Sequence, residues 1–331
     1  MAKSPASAKK HWVGFDLGGT KMYAAVFTEK WEPRGEARRK TKGFEGMNEG
    51  LARIVATIRE ALESASLTPA QIGGIGIGCP GPLDLKKGII TEAPNLGWKN
   101  VPLREVLRKE FKCPVTLLND VDAGVYGEYT KGAGKGARCL LGVFPGTGIG
   151  GGCVYEGRLF TGANQSCMEV GHIPVMPGGP LCGCGQRGCL EAVASRLAVS
   201  SAVAAAAYRG QAPYVLRNAG TNLADIRSGV LEEAVKAGDK VVERILRDAA
   251  RWLGTGIAGL VNVLAPDRIV LGGGLVESLP GLYQEEVERA VRARCMGAFR
   301  ETFDVTIARL GDRAAALGAA AWARASRAAA T

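Results

Sequence analysis

Apolar and polar positions alternate along HWVGFDL and again along KMYAAVF, residues 11–17 and 21–27, with Gly18-Gly19 between them. Alternation on both sides of a glycine pair predicts strand, turn, strand. Leu51, Ile54, Val55, Ile58 and Leu62 then recur at helical spacing, so residues 46–66 predict an amphipathic helix. IGGIGIGCPGP reads as a buried strand entering a Pro-Gly loop, VPLREVLRKEF as a short helix and CPVTLLND as a strand. VDAGVYGEYTKG reads as a helix stopped by Gly132.

The second half returns to the opening theme. RCLLGVFPGTGIGGGCVYEGRLF is again strand, glycine turn, strand, and a Cys/Gly loop follows over residues 178–189. Alanine-rich helices are expected over 190–264. DRIVLGGGLVES predicts strand, turn and helix, DVTIARL a last strand and RAAALGAAAWARAS a last helix. No Pro/Ser linker intervenes, and the change of domain is placed near residue 120. The expectation is a small α/β domain over 11–119 and a larger one over 120–311 carrying the 172–191 loop. A C-terminal helix at about 312–329 packs back on the first, and residues 1–10 form a polar tail. One glycine turn between two strands in each half is a duplication of topology, and two such turns facing a common ligand would give two backbone anion sites.

Composition narrows the class. With 47% hydrophobic and 22% charged residues the chain is neither disordered nor fibrous. No apolar run reaches membrane-spanning length, and the opening MAKSPASAKKHW lacks the apolar core of a secretory leader. Nine cysteines, an odd number in a long chain, argue for reduced thiols or a metal rather than a disulfide framework, hence a cytoplasmic protein. The net charge of +10 is spread along the chain without interleaved aromatics. That pattern fits a solvated surface tolerant of anionic substrates, and no nucleic-acid or membrane partner is expected.

Two familiar glycine motifs fail on context. GFDLGGTK nearly matches a P-loop, but a strand pattern follows where a P-loop needs a helix. Gly146, Gly148 and Gly151 match the dinucleotide fingerprint, again before a strand. What survives is simpler: glycines let backbone N–H groups approach phosphate, Thr20 and Thr147 add hydroxyls, and Asp16 can hold Mg²⁺ directly or through water.

Cys182, Cys184 and Cys189 place three thiols within eight residues, and His172 lies ten residues upstream of the first. Three thiolates and an imidazole compose a closed structural zinc shell. Such a site does no chemistry itself but would pin Glu169 and Glu191, which flank it. A zinc-bound His172 could only donate a hydrogen bond from its other ring nitrogen.

DLGGTK (16–21), CPGP (79–82), NLGW (95–98), ND (119–120), GTGIGGG (146–152), EVGH (169–172), CGCGQRGCLE (182–191) and LGGG (271–274) stand in one order. In that order they resemble the ROK family of sugar kinases and sugar-responsive repressors, over about residues 12–320. The resemblance implies an actin/hexokinase-like (ribonuclease H-like) duplicated two-domain α/β fold, with a ligand cleft between domains for a hexose and ATP·Mg²⁺. It places the catalytic base on Asp120 and the sugar contacts on Asn95, Asn119, Asp120, Glu169, His172 and Glu191. Zinc falls on His172, Cys182, Cys184 and Cys189. The ATP phosphates fall at Asp16, Gly18, Gly19, Thr20 and Lys21 and at Gly146, Thr147 and Gly148, with adenosine at Gly272 and Gly273. A homo-oligomer, dimer or tetramer, is implied as well.

Two departures stand out. The family often reads Ala-Gly-Glu before Gly-His, where this chain has Cys167-Met168-Glu169, and Asp122 replaces a frequent Asn. Asp120 ends the strand CPVTLLND and is the expected base, since a carboxylate there can take a hydroxyl proton; it could also cap the helix that follows. Glu191 is expected to meet the sugar and not the nucleotide. The activity implied is ATP-dependent phosphorylation of a hexose at the 6-hydroxyl, glucose first. The alternatives are a kinase for fructose, mannose, N-acetylmannosamine or N-acetylglucosamine, or a sugar-sensing regulator. Ten residues ahead of the first strand are too few for the regulators' DNA-binding module.

Overall fold

The computed structural model describes residues 11–93, 95–163 and 167–328. The polar tail expected over residues 1–10 and the final residue of the expected C-terminal helix lie outside them. In chain order come β1 (His11–Leu17), β2 (Lys21–Phe27), β3 (Pro33–Lys40), α1 (Met47–Ser64), β4 (Ile72–Cys79), β5 (Leu83–Asp84), β6 (Ile89–Ala93), β7 (Trp98–Val101), α2 (Leu103–Phe111), β8 (Val115–Asn119) and α3 (Asp120–Lys131). They continue with β9 (Cys139–Pro145), β10 (Ile149–Tyr155), β11 (Arg158–Leu159), α4 (Leu190–Ala194), α5 (Arg196–Tyr208), α6 (Pro213–Asn218), α7 (Ser228–Lys236) and α8 (Lys240–Leu264). The chain closes with β12 (Arg268–Leu271), α9 (Gly274–Ser278), α10 (Pro280–Arg294), β13 (Asp304–Ile307) and α11 (Ala314–Ala328).

Two compact units result. Of the described residues, the first holds those up to Lys135, those in the span 159–167 and those from Asp312 on; the second holds Gly136–Arg158 and Met168–Gly311. The division therefore falls after Lys135 and not at 119/120, because α3 is part of the first unit. Its partner is α11: a Cβ on Gly318 would lie 1.8 Å from the Ala123 carbonyl oxygen, so the two helices meet backbone to backbone. The same alanine-rich helix lies on β1 and β4, where a Cβ on Gly14 or Gly76 would strike the Ala316 or Ala319 carbonyl. Small residues on both sides allow this approach, which sequence spacing alone does not reveal.

Each unit carries a five-stranded sheet of the same plan, β3-β2-β1-β4-β8 in the first and β11-β10-β9-β12-β13 in the second. β1 runs antiparallel to β2 and parallel to β4, and β4 is parallel to β8. β9 likewise runs antiparallel to β10 and parallel to β12, which is parallel to β13. The glycine turns 18–20 and 146–148 thus occupy equivalent places, and the P-loop and dinucleotide readings stay excluded because β2 and β10 follow them. Val13, Phe15, Ile75 and Ile77 are wholly buried in the first core, and Leu141, Val143, Ile269 and Leu271 in the second. Among the described residues no disulfide joins any cysteines, and no helix is long and apolar enough to cross a membrane.

Candidate functional site

In the first unit the parallel register aligns the carboxyl ends of three strands: Asp16 of β1 lies beside Gly78 of β4, and Cys79 beside Asn119 of β8. In open α/β sheets that edge is where ligands bind. Gly78 lets the helix after β8 come near, since a Cβ there would lie 3.4 Å from the Asp120 Cα. The cap of α3 is Asn119, whose Oδ1 accepts from the Val121 and Asp122 N–H groups at 2.8 and 3.3 Å. Asp120 is the first helical residue, and its own Oδ1 shares the Val121 N–H at 2.9 Å, so the cap is Asn119 with Asp120 beside it. Asn119 is left with its amide NH₂ as donor. Asp122 is buried inside the unit at 6% exposure, while Asp120 is only partly buried.

Burial, and then the charge of Asp120, raise the Asp16 carboxyl to about 7; Lys21 pulls it down and Asp312 adds to the rise. The same two aspartates, after burial, push the Cys79 thiol up. Lys21 donates to Asp312 Oδ2 at 2.6 Å, and Arg38 lies 3.5 Å from the same oxygen. The first turn is braced by Thr41, whose hydroxyl donates to the Gly18 carbonyl at 2.6 Å and whose N–H donates to the Thr20 carbonyl. Asn95 sits against Gly19, with its Cβ 3.7 Å from where a Gly19 Cβ would be. Asp16, the first glycine turn, Lys21, Asn95, Asn119 and Asp120 therefore share one edge of one unit.

In the second unit the turn 146–148 closes on itself, Gly146 N–H donating to the Gly148 carbonyl at 2.8 Å. The 271–274 segment lies alongside: Gly272 N–H donates to Val143, and a Cβ on Gly273 (φ +83°) would lie 2.6 Å from the Pro145 carbonyl oxygen. Glu191 Oε2 accepts the Ile149 N–H at 2.9 Å, and a Cβ on Gly148 would lie 2.2 Å from that oxygen. Glu191 thus grips the second glycine turn, a contact the sequence reading did not foresee. Glu169 and His172 bracket a single 3₁₀ turn, Val170–His172, packed on Ile149 through Gly171.

The imidazole and three thiols converge: one ligand atom from each of His172, Cys182, Cys184 and Cys189 lies within 4.8 Å of all the others. Cys182 Sγ is 3.6 Å from His172 Nδ1, and the Cys184 and Cys189 sulfurs are 3.7 Å apart. Tetrahedral zinc, with bonds of about 2.3 Å to sulfur and about 2.0–2.1 Å to nitrogen, requires edges near 3.5 and 3.8 Å, so the donor set fits such an ion. The Gln186 N–H lowers the Cys184 thiol, and burial with the neighbouring thiols pushes Cys189 up to about 12. Backbone pairing of Pro174 with Cys189 and of Leu181 with Arg187 holds the loop.

Two residues at these sites were missed. Asp312 meets Lys21 across 291 positions and has no motif. Arg196, at the start of α5, donates from Nη2 to Thr147 Oγ1 at 2.8 Å, and its main-chain N–H donates to the Gly146 carbonyl. Met168 adopts φ +61°, the left-handed region that favours glycine, at the position where the family pattern often has one.

Residues 12–326 match the model of the ROK family. The chain is 34% identical over 317 residues to a glucokinase of Halalkalibacterium halodurans, covering 93% of each. Among solved structures it is similar to a ROK hexokinase from Thermus thermophilus, with 35% identity, TM-score 0.82 and coverage of 96% of this chain and 99% of that one. It is also similar to a ROK family glucokinase from Streptomyces griseus in complex with glucose and AMPPNP, with 31% identity, TM-score 0.81 and coverage of 95% and 99%.

Proposed function

The chain belongs to the ROK family, and on that premise we propose that it transfers the γ-phosphoryl group of ATP·Mg²⁺ to the 6-hydroxyl of glucose. The observation that carries this reading is the placement of Asp120: it opens α3 at the carboxyl ends of β1, β4 and β8, next to Asp16 and the first glycine turn. The glucokinase relatives and the glucose–AMPPNP complex of a similar chain support the sugar and the donor.

In this mechanism Asn95, Asn119 and Asp120 from the first unit and Glu169, His172 and Glu191 from the second hold the sugar hydroxyls. Asp120 accepts the 6-hydroxyl proton as the new O–P bond forms and the bond to the ADP oxygen breaks. Transfer is direct, because no side chain is marked as a phosphoryl acceptor. Asp16 would hold Mg²⁺, directly or through water, once its carboxyl is charged. The N–H groups of both glycine turns, with Thr20, Thr147 and Lys21, meet the phosphates, and Gly272-Gly273 meets the adenosine. His172, Cys182, Cys184 and Cys189 would hold a structural Zn²⁺, which would order the loop. With Nδ1 turned to Cys182, His172 keeps Nε2–H as a donor to a hydroxyl.

The test is ADP release against a panel of free hexoses and amino-sugars. Glucose is expected to give the highest kcat/KM. If fructose or an acetylated amino-sugar exceeds it tenfold, the glucose assignment fails and the kinase assignment stands. No ADP with any sugar overturns both.

A further inference from the structure

We propose that Arg196 is a positioning residue for the nucleotide phosphates, supplying positive charge at the second glycine turn. The inference rests on the kinase reading and deepens it. Arg196 is tied to the turn twice, by its guanidinium to Thr147 Oγ1 at 2.8 Å and by its N–H to the Gly146 carbonyl at 2.9 Å. By donating to Oγ1 it occupies an acceptor site of the hydroxyl, so the Thr147 hydrogen turns elsewhere and serves as a donor. The guanidinium has five N–H donors, and the bond to Thr147 uses one.

A cation at a helix start is slightly disfavoured, and an anion beside it would offset that. Arg196 opens α5, where the helix dipole favours acids, and the first turn of α5 contains none. Ser195 satisfies the Ala198 N–H, so the helix start is capped without the arginine. Among the described residues Arg196 makes no ion pair; the Glu191 carboxylate meets the same turn at the Ile149 N–H. A half-exposed guanidinium tied to a backbone turn, in no ion pair among the described residues, suits a polyphosphate chain and would electrostatically stabilise charge developing on it.

The experiment is calorimetric binding of adenosine, ADP·Mg²⁺ and ATP·Mg²⁺ to wild-type protein, Arg196→Gln and Arg196→Lys, with steady-state kinetics on each. Gln can still donate to Thr147 but carries no charge. The expected result is a loss for Arg196→Gln that grows with the number of phosphates: under twofold for adenosine and about 10- to 100-fold for ATP·Mg²⁺, the span of a charged hydrogen bond. Arg196→Lys should fall between, and the KM for glucose should move less than threefold. Arg196→Gln binding ATP·Mg²⁺ like the wild type, or losing adenosine and ATP equally, overturns the proposal, since bracing of the turn would then account for the arginine. If Arg196→Gln does not fold, Arg196→Lys decides by the same phosphate dependence. A wild-type protein that binds no ATP·Mg²⁺ overturns the kinase reading as well, and is recognised without any variant.

Discussion

Asp120 is the charged neighbour that, after burial itself, does most to raise the Asp16 carboxyl toward 7. Both acids border Gly78 of β4 at one sheet edge, and the proposed mechanism gives them different work. In that mechanism Asp16 would gain a charge when a cation comes, and Asp120, the first residue of α3, would take a hydroxyl proton. Replacing Asp120 by Asn should lower kcat by about 10²–10⁴-fold, because an amide holds a hydroxyl but cannot accept its proton. Sugar affinity should change little. Rapid-quench turnover alongside glucose binding checks both, and unchanged turnover would remove Asp120 as the base.

The raised Asp16 carboxyl makes stability depend on pH. Between about 4 and 7 the folded chain holds a proton that the unfolded chain has released. The contribution is therefore complete below about 4 and is lost as pH rises through 7. Asp16→Asn should raise Tm at pH 8, by about 2–4 °C for each kcal/mol recovered, and change it little at pH 4. Mg²⁺ dependence runs the other way. Affinity for ATP·Mg²⁺ should weaken as pH falls below 7, beyond the nucleotide's own titration, for which Asp16→Asn is the baseline. Parallel wild-type and variant curves would refute the assignment of Asp16 to the cation.

Zinc analysis of protein purified without chelator should return about one ion per chain. Cys184→Ser should lose it and weaken glucose binding more than nucleotide binding, since Glu169, His172 and Glu191 flank the loop. Metal-free protein with full activity would refute the zinc assignment.

The contact between α3 and α11 can be tested by one methyl group. An alanine at Gly318 would place its Cβ 1.8 Å from the Ala123 oxygen and 2.4 Å from the Gly127 nitrogen, both backbone atoms with little room to move. Gly318→Ala should cost at least about 1–3 kcal/mol, read as a lowered denaturation midpoint. A midpoint equal to the wild type would mean the helices are not so closely packed.

Much of this site was legible because its chemistry is local. The two glycine turns, the Cys/Gly loop and the strand ending at Asn119 each declare themselves within a dozen residues. What stayed hidden depends on distant partners or on polar strands. β3, PRGEARRK, buries only Gly35 and Ala37 and exposes its charges as an edge strand does, so it gives almost no hydrophobic pattern. The strands β5–β7 are two to five residues long. Lys21 with Asp312, and α3 with α11, meet across roughly two to three hundred residues, beyond any spacing rule. Asn119 and Asp120 are both good caps, and only the geometry distinguishes the cap from its neighbour.

Glu191, expected at the sugar, is tied in the structure to the second glycine turn. Its Oε2 holds the Ile149 N–H of the second turn at 2.9 Å, while Oε1 lies 3.8 Å from Cys182 Sγ. A glutamine keeps one carbonyl oxygen for Ile149 but loses the charge that, in the proposed mechanism, accepts sugar hydroxyls. Glu191→Gln should therefore raise the glucose KM by about 10- to 100-fold and the ATP KM by no more than about threefold. Glu191→Ala removes the acceptor altogether and leaves the Ile149 N–H without its partner, so both KM values should rise. The pair of variants is informative because the two outcomes differ in kind. If Glu191→Gln and Glu191→Ala raise only the glucose KM, the tie to the turn has no consequence for the nucleotide. If Glu191→Gln raises the two KM values equally, the carboxylate serves the turn and not the sugar.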